Sequence, residues 1–207
     1  MKKWVGVLFA MVLMQSGCIP RTQAIAVTQI TAAYDKMESP TPKADTEMET
    51  GGEKYLRDYG PAPELTNIIW LNSEQPLRLK NLHGKVVLLD MWTFGCINCR
   101  NTIPFLKEWH EKYGQDGLVI IANHYPEFSY EADLENLKEA VKDLEIHYAV
   151  AQDNEGITWQ AYHNRYWPTL YLIDKRGTLR YSHIGEGRYE ETEKAIQALL
   201  AESVKEE

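Results

Sequence analysis

Cys96 and Cys99, separated by Ile97-Asn98, are the residues of this sequence best placed to do chemistry. The chain has three cysteines in all, and the third, Cys18, lies far upstream. A disulfide closing so short a loop is a weak staple, worth about 2 kcal/mol on the chain-entropy account. Reversible exchange gives the pair a better purpose: a thiolate attacks a disulfide, and a second thiol resolves the mixed species. That chemistry needs neither metal nor bound cofactor. Its competitors lack residues. A structural zinc site takes four ligands, but His83, His110, His124, His147, His163 and His183 are scattered without a His-x₃₋₅-His pair. Covalent haem wants Cys-x-x-Cys-His, and Arg100 stands in the last place. An iron–sulfur cluster lacks cysteines.

The flanking pattern says how the pair is held. Val86-Val87-Leu88-Leu89 forms the centre of a nearly continuous apolar run from Lys85 to Trp92, the signature of a strand buried on both faces. A helical pattern follows to Tyr113, carrying Ile103, Leu106 and Trp109, and Gly114 and Gly117 end it. Cys96 therefore falls where a strand ends and a helix begins, a place where free N–H groups and the helix dipole favour a thiolate. Cys99 lies one turn further, shielded behind it. A Cys-x-x-Cys at a strand–helix junction reads as a redox motif. Asp90 interrupts the apolar strand, where a carboxylate is costly unless it is partnered or keeps its proton. One reading is a strand-end residue reaching solvent. The other is a buried proton acceptor serving Cys99. Pro104 sits inside the helix and is expected to kink it, and Pro168 stands just before a strand.

Further elements follow from periodicity. Leu118–Ala122 reads as a second buried strand, Glu131–Leu144 as an amphipathic helix, Tyr148–Val150 as a short strand and Ile157–Tyr162 as a short helix. Thr169–Ile173 and Thr178–Ile184, joined by Asp174-Lys175-Arg176-Gly177, read as an antiparallel hairpin, and Glu190–Val204 as a closing helix. Asn67–Leu79 is expected to form a further hairpin before the first long strand. The sum is an α/β domain over residues 60–207, with a mixed sheet and helices on both faces.

The first 59 residues read differently. Lys2, Lys3 and the apolar run Trp4–Met14 form an export signal over residues 1–17, too short to span the roughly 20 residues a bilayer core requires. Gln15-Ser16-Gly17-Cys18 resembles a bacterial lipobox, which makes Cys18 a candidate lipidated N-terminus. The alternatives are ordinary cleavage after Ala26, at Ala24-Ile25-Ala26, and an uncleaved anchor. All three place the domain outside the cytoplasm. Residues 18–59, rich in Thr, Glu, Pro and Gly, read as a flexible tether. The net charge is −8 with no basic stripe, which argues against nucleic acid and against a polybasic membrane patch.

Trp92-Thr93-Phe94-Gly95-Cys96-Ile97-Asn98-Cys99 resembles the active-site segment of the thioredoxin superfamily. The similarity is strongest to its extracytoplasmic TlpA/ResA-like branch, and within that to the thioredoxin-like domain of DipZ-type proteins. It runs from Ala62-Pro63-Glu64-Leu65 through Gly84-Lys85-Val86-Val87 to Arg165-Tyr166-Trp167-Pro168 and Gly185-Glu186-Gly187. The resemblance implies a thioredoxin-like fold and a redox-active Cys96–Cys99 disulfide. It implies that Asp90 is the buried acid, Trp92 the tryptophan beside the site and Pro104 the helix proline. Pro168 takes the place of the cis-proline, which would leave the Trp167 backbone free to pair with an extended substrate. Trp92, Trp167 and Pro168 are thus expected to meet substrate, while His124, Pro126, Glu127 and Phe128, in the longer segment after the second strand, read either as lining of its groove or as an ordinary loop. Protein disulfides are the implied substrates, with a membrane thiol transporter of the CcdA type as possible electron donor and cytochrome c maturation as a possible setting. Two rivals remain. Thr93-x-x-Cys96 matches a peroxiredoxin-like peroxidase, although Leu89 stands where that family has proline. A copper-delivery module of the same fold would use both cysteines with a histidine such as His124 or His163.

Overall fold

The computed structural model describes residues 51–203. The proposed signal, Cys18 and most of the tether lie outside them. Six strands form one sheet: β1 (Trp70–Leu71), β2 (Val86–Trp92), β3 (Leu118–His124), β4 (Ala149–Gln152), β5 (Thr169–Ile173) and β6 (Leu179–Ile184). Their order is β1-β4-β3-β2-β5-β6. β2 runs parallel to β3, and β3 to β4, while the β2–β5, β5–β6 and β1–β4 pairs are antiparallel. The sheet is mixed, as expected.

β2 lies between β3 and β5 and is buried at all seven positions. Side chains on a strand alternate between faces. Val86, Leu88 and Trp92 enter a core with Ile103, Leu106 and Trp109 of α1 (Ile97–Tyr113), Leu137 and Val141 of α2 (Leu134–Asp143), and Ala195, Ile196 and Leu199 of α4 (Tyr189–Ala201). Val87, Leu89 and Met91 enter the opposite core with Leu65, Leu79 and Trp159. That second face is covered by one short helix, α3 (Ile157–Ala161), and by the irregular segment 61–82. Asp90 shares its parity with Leu88 and Trp92, so strand geometry turns its carboxyl towards α1. The helix runs unbroken through Pro104.

Three expectations need correction. The hairpin over Asn67–Leu79 does not form. Trp70 and Leu71 pair with Ala151 and Val150 on the edge of β4. Asn72 then takes a φ of 55° and donates its side-chain amide to the Ile146 and Tyr148 carbonyls at 2.7 and 3.2 Å, anchoring the chain to its neighbour instead of turning it on itself. Leu79–Asn81 is a turn of 3₁₀ helix, its Leu79 and Lys80 N–H groups held by the Glu64 carboxylate at 2.6 and 3.1 Å. The helix expected from Glu131 begins later. Residues Ser129–Ala132 form a 3₁₀ turn, and Asp133 caps α2 by accepting from the Glu135 and Asn136 N–H groups at 2.8 and 3.1 Å.

The tether also ends earlier than residue 59. Leu56 is buried against the α1–α4 core. Arg57 and Tyr59 donate their N–H groups to Arg180 and Leu179 at 2.7 and 3.0 Å, covering the outer edge of β6. Among the described residues no helix is long and apolar enough to cross a membrane. If residues 53–59 belong to the folded body, Leu56→Ala should cost about 2 to 4 kcal/mol in a urea melt. A true tether residue would leave the midpoint unmoved.

Candidate active site

The site assembles where β2, β3 and β4 end and β5 begins. Cys96 is the N-cap of α1, with extended backbone angles of −78° and 119°. Its Sγ accepts the Cys99 N–H at 3.3 Å. The first turn of α1 carries no acidic side chain. Cys96 is partly exposed, Cys99 is buried and both thiols are free. Burial pushes the Cys99 thiol above its ordinary range, and the Asp90 carboxyl and Cys96 add to that. The pair is thus unequal: one sulfur sits partly exposed at the head of the helix, the other is buried beneath it with its proton held more tightly.

Asp90 settles between its two readings. It is 2% exposed, and its Oδ1 has no hydrogen-bond partner among the described residues. The solvent-reaching alternative is excluded. Burial raises its carboxyl to about 8. Tyr148 lies in the same core with its hydroxyl also buried and unpartnered, and it too is raised, by burial first and by Asp90 second. Asp90 therefore acts on both Cys99 and Tyr148 through a medium of low polarity.

On the far side of Cys96, Trp167-Pro168 is a cis peptide. The Trp167 N–H and carbonyl make no hydrogen bond among the described residues. The indole N–H of Trp167 donates to the Tyr125 carbonyl at 3.1 Å, and its ring lies 5.8 Å from Tyr125 and 4.5 Å from Trp159. Trp159 is set by Asp153, whose carboxylate caps α3 by accepting from the Thr158 and Trp159 N–H groups at 3.2 and 2.8 Å. Thr169, which follows Pro168, pairs with Met91 near the end of β2.

Two residues read as candidates for the substrate side of the site are buried. Trp92 is 1% exposed, because the parity that turns Asp90 inward turns Trp92 inward too. It lies under the site, edge-on to His124 at 5.5 Å. His124, a candidate for the groove lining, is fully buried. Its Nε2 meets Thr93 Oγ1 at 3.3 Å and its ring stacks on Phe94 at 5.3 Å. Burial holds its imidazole down at about 4, so it is neutral at pH 7. The Thr93 hydroxyl that matched a peroxidase motif is engaged by this histidine. Glu127 and Phe128 do lie at the surface, and Phe128 stacks on Tyr130 at 5.9 Å.

One residue was not legible as part of the site. Glu131 is fully buried and its carboxylate accepts three backbone N–H groups: Gly95 at 2.8 Å through Oε1, and Glu127 and Phe128 at 2.7 and 2.8 Å through Oε2. In the sequence it is an ordinary helix-starting glutamate, and nothing local ties it to Gly95.

The unfolded Asp90 loses its proton near 3.8 and the folded one near 8, so across that window the folded state holds the extra proton. Stability must then fall as pH rises from about 4 to about 8, with a slope approaching 1.4 kcal/mol per unit. His124 contributes the opposite slope between about 4 and its ordinary 6.5. A difference measurement cancels it. Asp90→Asn should match the parent at pH 4 and become progressively more stable than it up to pH 8 in parallel denaturant melts. A constant difference would mean that Asp90 titrates normally.

Known proteins bear on this geometry. The AhpC/TSA family profile matches residues 60–182. Protein DipZ of Mycobacterium tuberculosis is 43% identical over 152 residues, which cover 72% of this chain and 22% of that protein. The chain thus spans about a fifth of that relative. Thiol-disulfide oxidoreductase YkuV of Bacillus subtilis is 32% identical over 144 residues, covering 69% of this chain and 96% of YkuV. The crystal structure of an exposed lipoprotein thioredoxin, Etrx1 of Streptococcus pneumoniae, superposes with a TM-score of 0.57 at 25% identity, over 66% of this chain and all of that one. With a thioredoxin-like fold and a free Cys-x-x-Cys at the head of its main helix, the chain belongs to the AhpC/TSA family, on its thioredoxin-like, thiol-disulfide oxidoreductase side.

Proposed function

We propose that the chain reduces or exchanges protein disulfides outside the cytoplasm, with Cys96 as nucleophile, Cys99 as resolving thiol and Asp90 as proton acceptor. The observation that carries this reading is the inequality of the two sulfurs. Cys96 caps α1 at the surface, whereas Cys99 lies beneath it, within the electrostatic reach of a buried, unpartnered Asp90.

The steps follow from those positions. The Cys96 thiolate attacks one sulfur of a substrate disulfide, the substrate S–S bond breaks, and its electron pair leaves on the second substrate sulfur. A mixed disulfide results. The Cys99 thiol then transfers its proton to the Asp90 carboxylate and attacks Cys96 Sγ. The Cys96–Cys99 bond forms, the mixed disulfide breaks, and the substrate sulfur that Cys96 had attacked departs as a thiolate. Since burial holds the Cys99 proton tightly, a base with a raised carboxyl is suited to the transfer at neutral to mildly alkaline pH. The unbonded Trp167 backbone beside Pro168 can take an extended substrate segment by strand addition.

Repeated reduction outside the cytoplasm requires electrons from a membrane dithiol, and a CcdA-type transporter fits that role. Lipidation at Cys18, with residues between it and the folded body as tether, would keep the domain near such a donor. The name of the pneumococcal relative, a lipoprotein thioredoxin, supports this arrangement. Apocytochrome c and misoxidised envelope proteins are suitable clients.

Two measurements test the reading together. Cys99→Ser should accumulate a mixed disulfide with a disulfide-bonded client, while Cys96→Ser should form none. The Cys96–Cys99 potential, titrated against dithiothreitol, should lie near or below about −230 mV. A value above about −150 mV would make the protein an oxidant and end the reductase proposal.

A further inference from the structure

Glu131 is a buried carboxylate with no cation at salt-bridge distance among the described residues. Such a group is costly unless hydrogen bonds replace its water. Here three N–H donors do so, and their distribution is informative. Two belong to its own turn, Glu127 and Phe128, and serve Oε2. The third comes from Gly95, the residue before Cys96, and serves Oε1. A capping role alone would require only the first two, and an exposed Asp or Ser does that work at other turns. The bond to Gly95 crosses from one loop to another.

Other contacts make the same connection. Phe94 stacks on His124 and lies edge-on to Tyr130 at 5.8 Å, so the residue before Gly95 packs against the same stretch of chain. A methyl group at position 95 would strike the Glu131 carboxylate and lie 2.8 Å from the Tyr130 hydroxyl. Glycine at 95 and glutamate at 131 thus fit each other. Phe128 and Tyr130, 53% and 52% exposed, form an aromatic face on the same turn.

We infer that Glu131 is a positioning residue of the dithiol site: its carboxylate fixes the Phe94-Gly95-Cys96 turn and joins it to the aromatic turn 127–131. The nucleophile is then aimed from two sides, by α1 behind it and by this carboxylate in front. A substrate resting on Phe128 or Tyr130 presses on the turn that holds Cys96 in place. This rests on the reading of Cys96 as nucleophile.

The chemistry of the carboxylate supplies a selective test. Both oxygens accept, whereas a glutamine at 131 has one oxygen and one NH₂. The amide can satisfy its own turn or Gly95, but not both, because its NH₂ would face an N–H. Glu131→Gln should therefore release the cysteine turn while leaving residues 127–131 capped. We expect the rate of Cys96 attack on a small disulfide, oxidised glutathione, to fall about tenfold to a hundredfold. The Gly95 amide proton should move upfield and exchange faster in NMR spectra.

An unchanged attack rate, whatever the change in melting temperature, would reduce Glu131 to a structural cap. A faster rate would show that its negative charge restrains Cys96 and that positioning is not its role. Either overturns the inference. Inactivity of the parent protein towards every disulfide tried would instead strike at the proposed function. Should the variant not fold, amide exchange in the parent decides. Gly95 is exposed, so a slowly exchanging Gly95 N–H supports the bond, and one exchanging as a free amide refutes it.

Discussion

A carboxyl group whose Oδ1 has no hydrogen-bond partner among the described residues, in a strand buried along its whole length, is the constraint on which the rest of the site depends. Asp90 can be there only because β2 has neighbours on both sides and helices over one face, and that same enclosure denies it water. The strand's two-residue period then places it under α1, on the side from which Cys99 descends. A substitution moving Asp90 one position along β2 would turn it towards Met91's side, into the opposite core, and away from both cysteines. The reactivity of the pair is in this sense a consequence of strand parity.

The asymmetry of the two sulfurs follows from where the helix starts. Cys96 is half in the helix: its carbonyl accepts the Arg100 N–H at 3.1 Å and its Sγ the Cys99 N–H at 3.3 Å. Cys99, one turn on, faces the core as every third or fourth residue of an amphipathic helix must. A two-residue spacer is thus the natural distance for one exposed and one buried thiol at a helix head. The remaining walls are loops at the strand ends, and each is tied down by a particular group: Asp153 sets Trp159 against Trp167, and Trp167 reaches Tyr125.

What could be read in the sequence is what local pattern encodes. The continuous apolar run of β2, the glycine after α1 and the Asp-Lys-Arg-Gly turn between β5 and β6 each act within a few residues, and those elements form as read. The Cys-x-x-Cys, Asp90 and Pro168 were legible because spacing or resemblance marks them. The misreadings concern choices made at a distance. Asn67–Leu79 has strand-like residues, but whether they pair with each other or with β4 is decided by Asn72 capping carbonyls 74 and 76 positions away. Leu56 looked like part of a polar tether because a single apolar residue gives no period, yet one buried leucine and two edge hydrogen bonds suffice to dock a short segment. Glu131 meets Gly95 across 36 residues. Trp92 is buried because its parity on β2 is that of Leu88 and Asp90, which turns it into the core under α1.

The two buried carboxylates divide the requirements of the site between them. Glu131 has N–H donors on both oxygens, so its energy depends on where its neighbours are, and it holds geometry. Asp90 has an oxygen with none, so its energy depends on whether it carries a proton, and it responds to chemistry. Exchanging their surroundings would spoil both. An N–H triplet around Asp90 would stabilise its anion and weaken it as an acceptor of the Cys99 proton. An unpartnered Glu131 would lose its grip on the cysteine turn. The same functional group thus serves as an anchor or as a base according to the number of hydrogens aimed at it, and the backbone that sets this number is fixed by the sheet.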